Sequence, residues 1–245
     1  MSDIMDEFMQ KQVYDILLKP IVCNKMCSKS FIDNDIIFSG QKYYGTTDED
    51  MCDITVAFYE IIYIDILRNQ SVLDDKGRFR NKEFAGDTMN TFQHIANITP
   101  NAGCTKAERT DEKEWPSYLQ YYYRRYHCLA NFWLIPMSMG RTSKKLNGYD
   151  SVDLFLNKLQ SDFDYQVEKH KDYFRDMPIF DDFRKIHFVE VGRCQHDVIA
   201  AYKNQQSEVL INNMMSDITK RADKISKSRF ACDLWKMFET NNLDE

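Results

Sequence analysis

Glycine and proline are scarce in this chain of 245 residues, which contains only 8 Gly and 5 Pro. Because both residues interrupt regular secondary structure, their scarcity favours long helices over a loop-rich scaffold. The chain also lacks the segments GxxxxGK(S/T), GxSxG, HExxH and GxGxxG. The sequence therefore gives no support to phosphate-loop nucleotide binding, a serine hydrolase, a zinc protease or dinucleotide binding.

An excess of positive charge is absent as well, since 32 Lys and Arg face 38 Asp and Glu, for a net charge of -6. Contact with a polyanion across the whole surface is excluded, because phosphate binding needs clustered Lys and Arg. The alternative is that a polyanion binds in a local basic groove.

Long apolar runs are also missing. A membrane span needs roughly 18 uncharged apolar residues, and in the nearest candidate, "ITVAFYEIIYIDILRNQ", Glu60 and Asp65 interrupt the run. The first residues are too acidic for a signal peptide. The seven cysteines lie mostly in apolar stretches, as free thiols do in a reducing cytosol, and the Cys23–Cys27 pair lacks the further ligands of a zinc site. We expect a cytoplasmic protein without a membrane partner.

The residues that are abundant favour a helical fold, with 43% hydrophobic side chains available for a core. Apolar spacing predicts helices over residues 3–19, about 50–68, 115–128, 151–163 and 207–238. A short strand is expected near 36–39 and an extended segment at "ANFWLIPM", while Gly86 and Asp87 predict a turn and N-cap for a helix that begins at Thr88. We expect a mainly α (α+β) fold, a single helical domain over 1–245 that allows a small β insert between 35 and 140.

Two segments, "TFQHIANITP" and "RRYHCLANFWLIPMSMGRTSKKLN", carry most of the polar side chains with catalytic chemistry. With Trp115 between them and "ITKRADKI" near the end of the chain, they resemble the HNH-type nuclease core of GmrSD-like restriction proteins. That core carries a (D/E)HI-x-P strand, a tryptophan and an H-x-LGN segment followed by LN. "GDTMNTF" and "YHCLANFWLIP" are also similar to the "DTMNSF…YHxxGNFxxxP" signature of a family of small, uncharacterised bacterial proteins.

The first resemblance implies an HNH-like core over 84–160, a closing helix over 207–238, and action on DNA or RNA with Mg²⁺ or Mn²⁺. It further implies a bacterial or phage setting of defence or counter-defence. By position, His94 would be the general base, Asn131 would orient the histidine-bearing loop, and His127 or Asn147 would be the third polar member. The cations available for phosphates are Arg124, Arg125, Arg141, Lys144 and Lys145.

This sequence departs from the family pattern at the metal site. Gln93 stands where the family has an acidic ligand, and Ala130 replaces the glycine of LGN. Asp87 is the nearest acid in sequence that could replace the missing ligand, although it could also cap a helix. The resemblance thus allows either an active or a degenerate nuclease.

Structural interpretations of the same residues stay open. His94 could be a half-buried histidine on a helix, and His127 could interact with a helix C-terminus. Asn131 would be costly to bury without a hydrogen bond, so it could simply fasten a loop. The main functional alternative is a non-catalytic module that binds a partner protein, and a small-molecule enzyme using His127 and Arg141 is a third.

Overall fold

The computed structural model describes residues 2–23, 38–40, 53–68, 84–90, 116–136, 139, 152–190 and 207–241. The helices are α1 (Ser2–Leu17), α2 (Asp53–Ile62), α3 (Ile64–Leu67), α4 (Ser117–Tyr123), α5 (Val152–Ser161), α6 (Phe163–Lys169), α7 (Phe180–Ile186), α8 (Ser207–Ser226) and α9 (Ala231–Asn241). The strands are β1 (Ile21–Cys23), β2 (Phe38–Gly40), β3 (Phe84–Thr88) and β4 (Phe132–Pro136). The described fold is mainly α with small sheets, which confirms the predicted α+β class.

The strands pair in two short ladders. β1 and β2 are parallel, whereas β3 and β4 are antiparallel, with Gly86 opposite Leu134 and Asp87 opposite Trp133. Every residue of β4, "FWLIP", is buried. A strand that is covered on both faces is expected to be apolar throughout rather than alternating, and β4 follows that rule.

Helices surround the β3–β4 pair. α8 packs against α1, α4 and the 3-10 turn Leu129–Asn131 that precedes β4, and α9 packs against α1 and α2. One cluster of buried hydrophobic side chains extends from α1 to α9. In α8 the buried positions, namely Leu210, Met214, Ile218, Ala222 and Ile225, recur every three or four residues, as expected for a helix with one face in the core.

Several sequence predictions are confirmed by these elements. The helix predicted over 3–19 is α1, the one over about 50–68 is α2 with α3, and the one over 151–163 contains α5. The short strand and the extended segment correspond to β2 and β4. The helix predicted over 115–128 is shorter, because α4 ends at Tyr123.

Two predictions are wrong. Gly86, Asp87 and Thr88 do not form a turn and a helix start but lie in β3, where pairing with a distant strand overrides the local turn chemistry. The long helix predicted over 207–238 is broken between α8 and α9. Ser228 explains the break, since its hydroxyl donates to Ile225 O (2.7 Å) and accepts from Phe230 N (3.2 Å) in competition with the helical pattern.

Candidate functional site

Among the described residues, strand β4 pairs with β3 along one edge, and side chains form hydrogen bonds along its other edge. Alternate carbonyl groups of an antiparallel strand point away from its partner. Among them, Leu134 O accepts a hydrogen bond from Tyr173 Oη (2.9 Å), and Phe132 O accepts from Arg221 Nη1 (2.9 Å). Arg221 Nη1 also donates to Ala130 O (2.6 Å) in the 3-10 turn just before β4. Buried backbone carbonyls thus obtain partners without a third strand.

The closing side chains belong to a buried hydrogen-bond network centred on His187. Its Nδ1 lies 2.8 Å from Tyr63 Oη, its Nε2 lies 2.6 Å from Tyr173 Oη, and Arg221 Nη2 donates to Tyr63 Oη at 3.0 Å. The single proton of the Tyr173 hydroxyl goes to Leu134 O, so this oxygen accepts from the Nε2–H of His187. Nδ1 is then the free acceptor for the Tyr63 hydroxyl.

Burial keeps this network neutral except for its arginine. Burial, followed by the neighbouring Arg221, holds the pKa of His187 well below its usual range. Burial also raises the pKa of Tyr63 and of Tyr173. The Arg221 guanidinium lies 5.1 Å above the Trp133 ring, which stacks on His187 at 4.6 Å between centroids. These groups hydrogen-bond to β4 and pack against it.

A narrow cleft lies on the Arg221 side of β4. Its walls include Asn90, Asn131, Trp133, Lys220 and Lys224, together with Arg221. The cavity volume is about 20 Å³, which is the space needed by roughly one water molecule. The cleft therefore accepts a group of one or two heavy atoms and excludes a whole aromatic ring.

In each of the two asparagines, one polar atom of the side-chain amide forms a hydrogen bond with the backbone. Asn90 Oδ1 accepts from Val152 N (2.8 Å), and Asn131 Nδ2 donates to Tyr126 O (2.7 Å). These bonds fix which way each amide points. Asn90 Nδ2 and Asn131 Oδ1 have no hydrogen-bond partner among the residues that the structure describes, although both side chains are buried.

Positive charge predominates in the cleft, where Lys220, Arg221 and Lys224 face the carboxylates of Glu190 and Asp217. Burial lowers the pKa of Lys224, and neighbouring cations, among them Lys220, lower it further against the opposing effect of Glu190. Clustered cations beside amide groups are typical of a site for a phosphate group.

The cleft adjoins a larger groove between α1 and α8. The groove has a volume of about 690 Å³ and shares Glu190, Lys220 and Lys224 with the cleft. Its other charged walls are formed by Glu7 and Lys11 of α1 and by Asp223 and Lys227 at the end of α8. We call this the α1–α8 groove.

Of the two predicted catalytic residues that the structure describes, His127 and Asn131, only Asn131 lines the cleft. The His127 ring packs on Tyr126 at 4.1 Å and on Phe132 at 6.1 Å between centroids. Burial lowers the pKa of His127 to about 4, so this histidine is neutral at pH 7. It lines neither the cleft nor the α1–α8 groove.

None of the predicted metal and phosphate ligands that the structure describes, namely Asp87, Arg124 and Arg125, lines the cleft. Asp87 lies in β3, and the described residues contain no group of three or more His, Cys, Asp or Glu that could hold a metal. The described part of the chain therefore does not by itself fit Mg²⁺ or Mn²⁺. Arg124 is exposed at the end of α4, and Arg125 lies over the Tyr121 ring at 4.0 Å.

The remaining predicted site residues, His94, Asn147, Arg141, Lys144 and Lys145, lie outside the described residues, as does Cys27. Sequence reasoning missed the network of Tyr63, Tyr173, His187 and Arg221 and the role of Asn90. The one available signal was Arg221 itself, a charged residue within the apolar stripe of α8.

No protein-family model matches this chain, and no curated protein or solved structure matches it either. In the part of the chain that the structure describes, no helix is both long enough and apolar enough to cross a membrane.

Proposed function

We propose that this chain acts on nucleic acid through the cleft beside β4, with an HNH-like core in a degenerate form. The observation that carries the proposal is the combination of Asn131 with Lys220, Arg221 and Lys224 in one cleft. Amide and ammonium groups are the common partners of nucleic-acid phosphates and sugars. The cysteine usage favours a cytoplasmic location, and the resemblance adds a bacterial or phage setting of defence or counter-defence.

The contacts of Asn131 support the role that the resemblance gives to this residue. Its backbone carbonyl accepts a hydrogen bond from Met89 N (3.0 Å), and the Tyr122 hydroxyl donates to Asn90 O. Hydrogen bonds thus fix the backbone at two consecutive residues, Met89 and Asn90, which precede His94 in sequence. Fixing that segment is what the HNH resemblance expects of the asparagine.

The residues at the expected catalytic and metal positions favour a degenerate nuclease core over an active one. Gln93 stands where the resemblance expects an acidic metal ligand beside the histidine. His127 lines neither the cleft nor the α1–α8 groove, and the lowered pKa keeps it neutral at pH 7. The described residues can bind nucleic acid, and cleavage would depend on His94 with Mg²⁺ or Mn²⁺.

The test is cleavage and binding of plasmid DNA, single-stranded DNA and RNA, with Mg²⁺ or Mn²⁺, by the wild type, His94→Ala and His127→Ala. We expect binding without cleavage, and lower stability of His127→Ala because its ring packs against Tyr126 and Phe132. Metal-dependent cutting that His94→Ala abolishes, with the fold intact by circular dichroism, would establish an active nuclease instead. Failure to bind any of the three substrates would contradict the proposal.

The α1–α8 groove favours a second candidate function, binding of a partner protein without catalysis. The groove is large, and acidic and basic side chains alternate along it, so it suits a polypeptide of mixed charge better than a polyanion. A photo-crosslinking residue at Tyr14, which lines the groove, should capture the same partner repeatedly, whereas one at the exposed Tyr165 should not. The purified partner should then lose affinity for Lys11→Glu.

A further inference from the structure

The cleft beside β4 and the α1–α8 groove have part of their walls in common. Glu190, Lys220 and Lys224 line both of them. Lys220 is exposed and Lys224 is half-buried, and a lysine side chain carries its charge on a flexible four-carbon stem. Either ammonium group can therefore pair with a ligand in the cleft or with one in the groove, but an ion pair with one ligand withdraws it from the other. The two sites compete for the same charges.

The groove has positive charge that its own walls leave uncompensated. At the end of α8, Lys227 forms an ion pair with Asp223 at 2.6 Å. The other charged side chains of the groove form no ion pair within the described part of the chain; they are Lys11, Lys220, Lys224, Glu7 and Glu190. Three cations thus face two carboxylates. A ligand that fills the groove must supply acidic groups for the lysines and at least one basic group for the glutamates.

The lysines of α8 have a spacing that a second helix can match. Lys220 and Lys224 are four residues apart, which is about 6 Å along the helix axis. Acidic residues at positions i and i+4 of a partner helix lie about 5–6 Å apart on one face. Such a pair can meet both ammonium groups at once, and a basic residue on the same segment can meet Glu7. A nucleic-acid strand has no cationic group to offer Glu7 or Glu190, so a polypeptide is the better occupant of the groove.

We propose that the α1–α8 groove binds a helical segment of a partner protein whose paired carboxylates bind Lys220 and Lys224, and that this partner thereby displaces nucleic acid from the cleft. The inference rests on the proposed function and adds the regulation of its site. The partner inhibits by competition, since it occupies two cations of the phosphate site and needs no change of shape. Lys11 of α1 lines the groove but not the cleft, so it contributes to partner binding alone.

Lys11→Glu alters the groove without altering the cleft, and Lys171→Glu is the matched control. Lys171 is exposed and lines neither site, so its variant carries the same change of net charge elsewhere on the surface. The competitor is a capped peptide of about 20 residues, long enough to form a helix in water, with pairs of Glu at i and i+4 and with Lys between the pairs. A second peptide has Gln in place of every Glu. It keeps the lysines and therefore shows whether the peptide binds nucleic acid directly.

The assay follows displacement of labelled single-stranded RNA and DNA from the full chain at low salt by fluorescence anisotropy. We expect the Glu peptide, but not the Gln peptide, to displace both strands from the wild type and from Lys171→Glu. For Lys11→Glu the half-displacement concentration should rise about five-fold, equivalent to about 1 kcal/mol for the loss of one exposed ion pair and its replacement by a like charge. Without peptide, Lys11→Glu and Lys171→Glu should bind each strand equally.

The outcomes separate this inference from the proposed function. Equal displacement from Lys11→Glu and Lys171→Glu would overturn the inference, because the peptide would then lie outside the groove. No displacement from the wild type would also overturn it, since the two sites would not compete. If Lys11→Glu binds the strands more weakly than Lys171→Glu does without peptide, nucleic acid itself occupies the groove and the inference is wrong. Failure of the wild type to bind either strand, while the labelled Glu peptide still binds, would overturn the proposed function, and with it the competition, and would leave partner binding alone.

Discussion

Replacing Arg221 by methionine should lower the free energy of unfolding by about 4 kcal/mol. Methionine keeps most of the apolar stem of arginine but has no donor. The change therefore tests whether the hydrogen bonds at the free edge of β4, rather than packing alone, hold the core together.

The magnitude follows from the four bonds that Arg221 donates, to His187 O, Ala130 O, Phe132 O and Tyr63 Oη. Hydrogen bonds to charged groups contribute about 1.5–3 kcal/mol each. Their sum is reduced because removal of a buried guanidinium also removes its desolvation cost, which is several kcal/mol. Water in the cleft can replace part of the loss, which leaves about 4 kcal/mol.

The assay is urea unfolding followed by far-UV circular dichroism, with Arg175→Met as the control. Arg175 is half exposed, and its nearest acid, Asp172, lies 3.6 Å away. We expect its loss to change the unfolding free energy by less than about 0.5 kcal/mol. A loss below about 1 kcal/mol in Arg221→Met would refute the reasoning, because buried carbonyls left without donors cost at least that much.

Three further predictions concern buried groups. Tyr173→Phe should cost about 2–3 kcal/mol, since the hydroxyl serves a buried carbonyl and a buried imidazole, while Tyr165→Phe on the surface should be neutral by the same urea assay. Lowering the pH from 7 to 5 should cost at least about 2 kcal/mol, because the unfolded imidazole takes up a proton near pH 6.5 whereas His127 does so only near 4, and burial lowers the pKa of His187 as well; stability that stays flat over this range would contradict the lowered pKa values of both histidines. Alkylation of the native protein should label the exposed Cys232 and spare Cys128, whose pKa burial raises to about 12; peptide mapping by mass spectrometry reads the result.

The elements with strong local signals were predictable from the sequence. Apolar spacing located α1 and α5, and the uninterrupted apolar run of β4 was read as extended. β3 was not predictable, because its conformation depends on a strand more than 40 residues later in the chain. The break after α8 depends on a single hydroxyl, that of Ser228, which local propensity does not single out.

The site was predictable only in part. A buried asparagine must find hydrogen bonds, so Asn131 could be selected from its apolar surroundings alone. Asn90, which also lines the cleft, could not be selected from the sequence. The role of Asn90 depends on a left-handed backbone (φ 56°) and on the backbone amide of Val152. The network around His187 joins residues as far apart in sequence as Tyr63 and Arg221. No local pattern reports such contacts.

The most direct test of the account is the salt dependence of RNA binding by wild type and by the double variant Lys220→Ser/Lys224→Ser. Loss of two phosphate contacts should weaken binding and lower the slope of log affinity against log salt by about 1.4. Lys171→Ser/Lys236→Ser, which removes two exposed lysines outside the cleft, should match the wild type. If the Lys220/Lys224 variant keeps the wild-type affinity and slope, nucleic acid does not bind in the cleft beside β4.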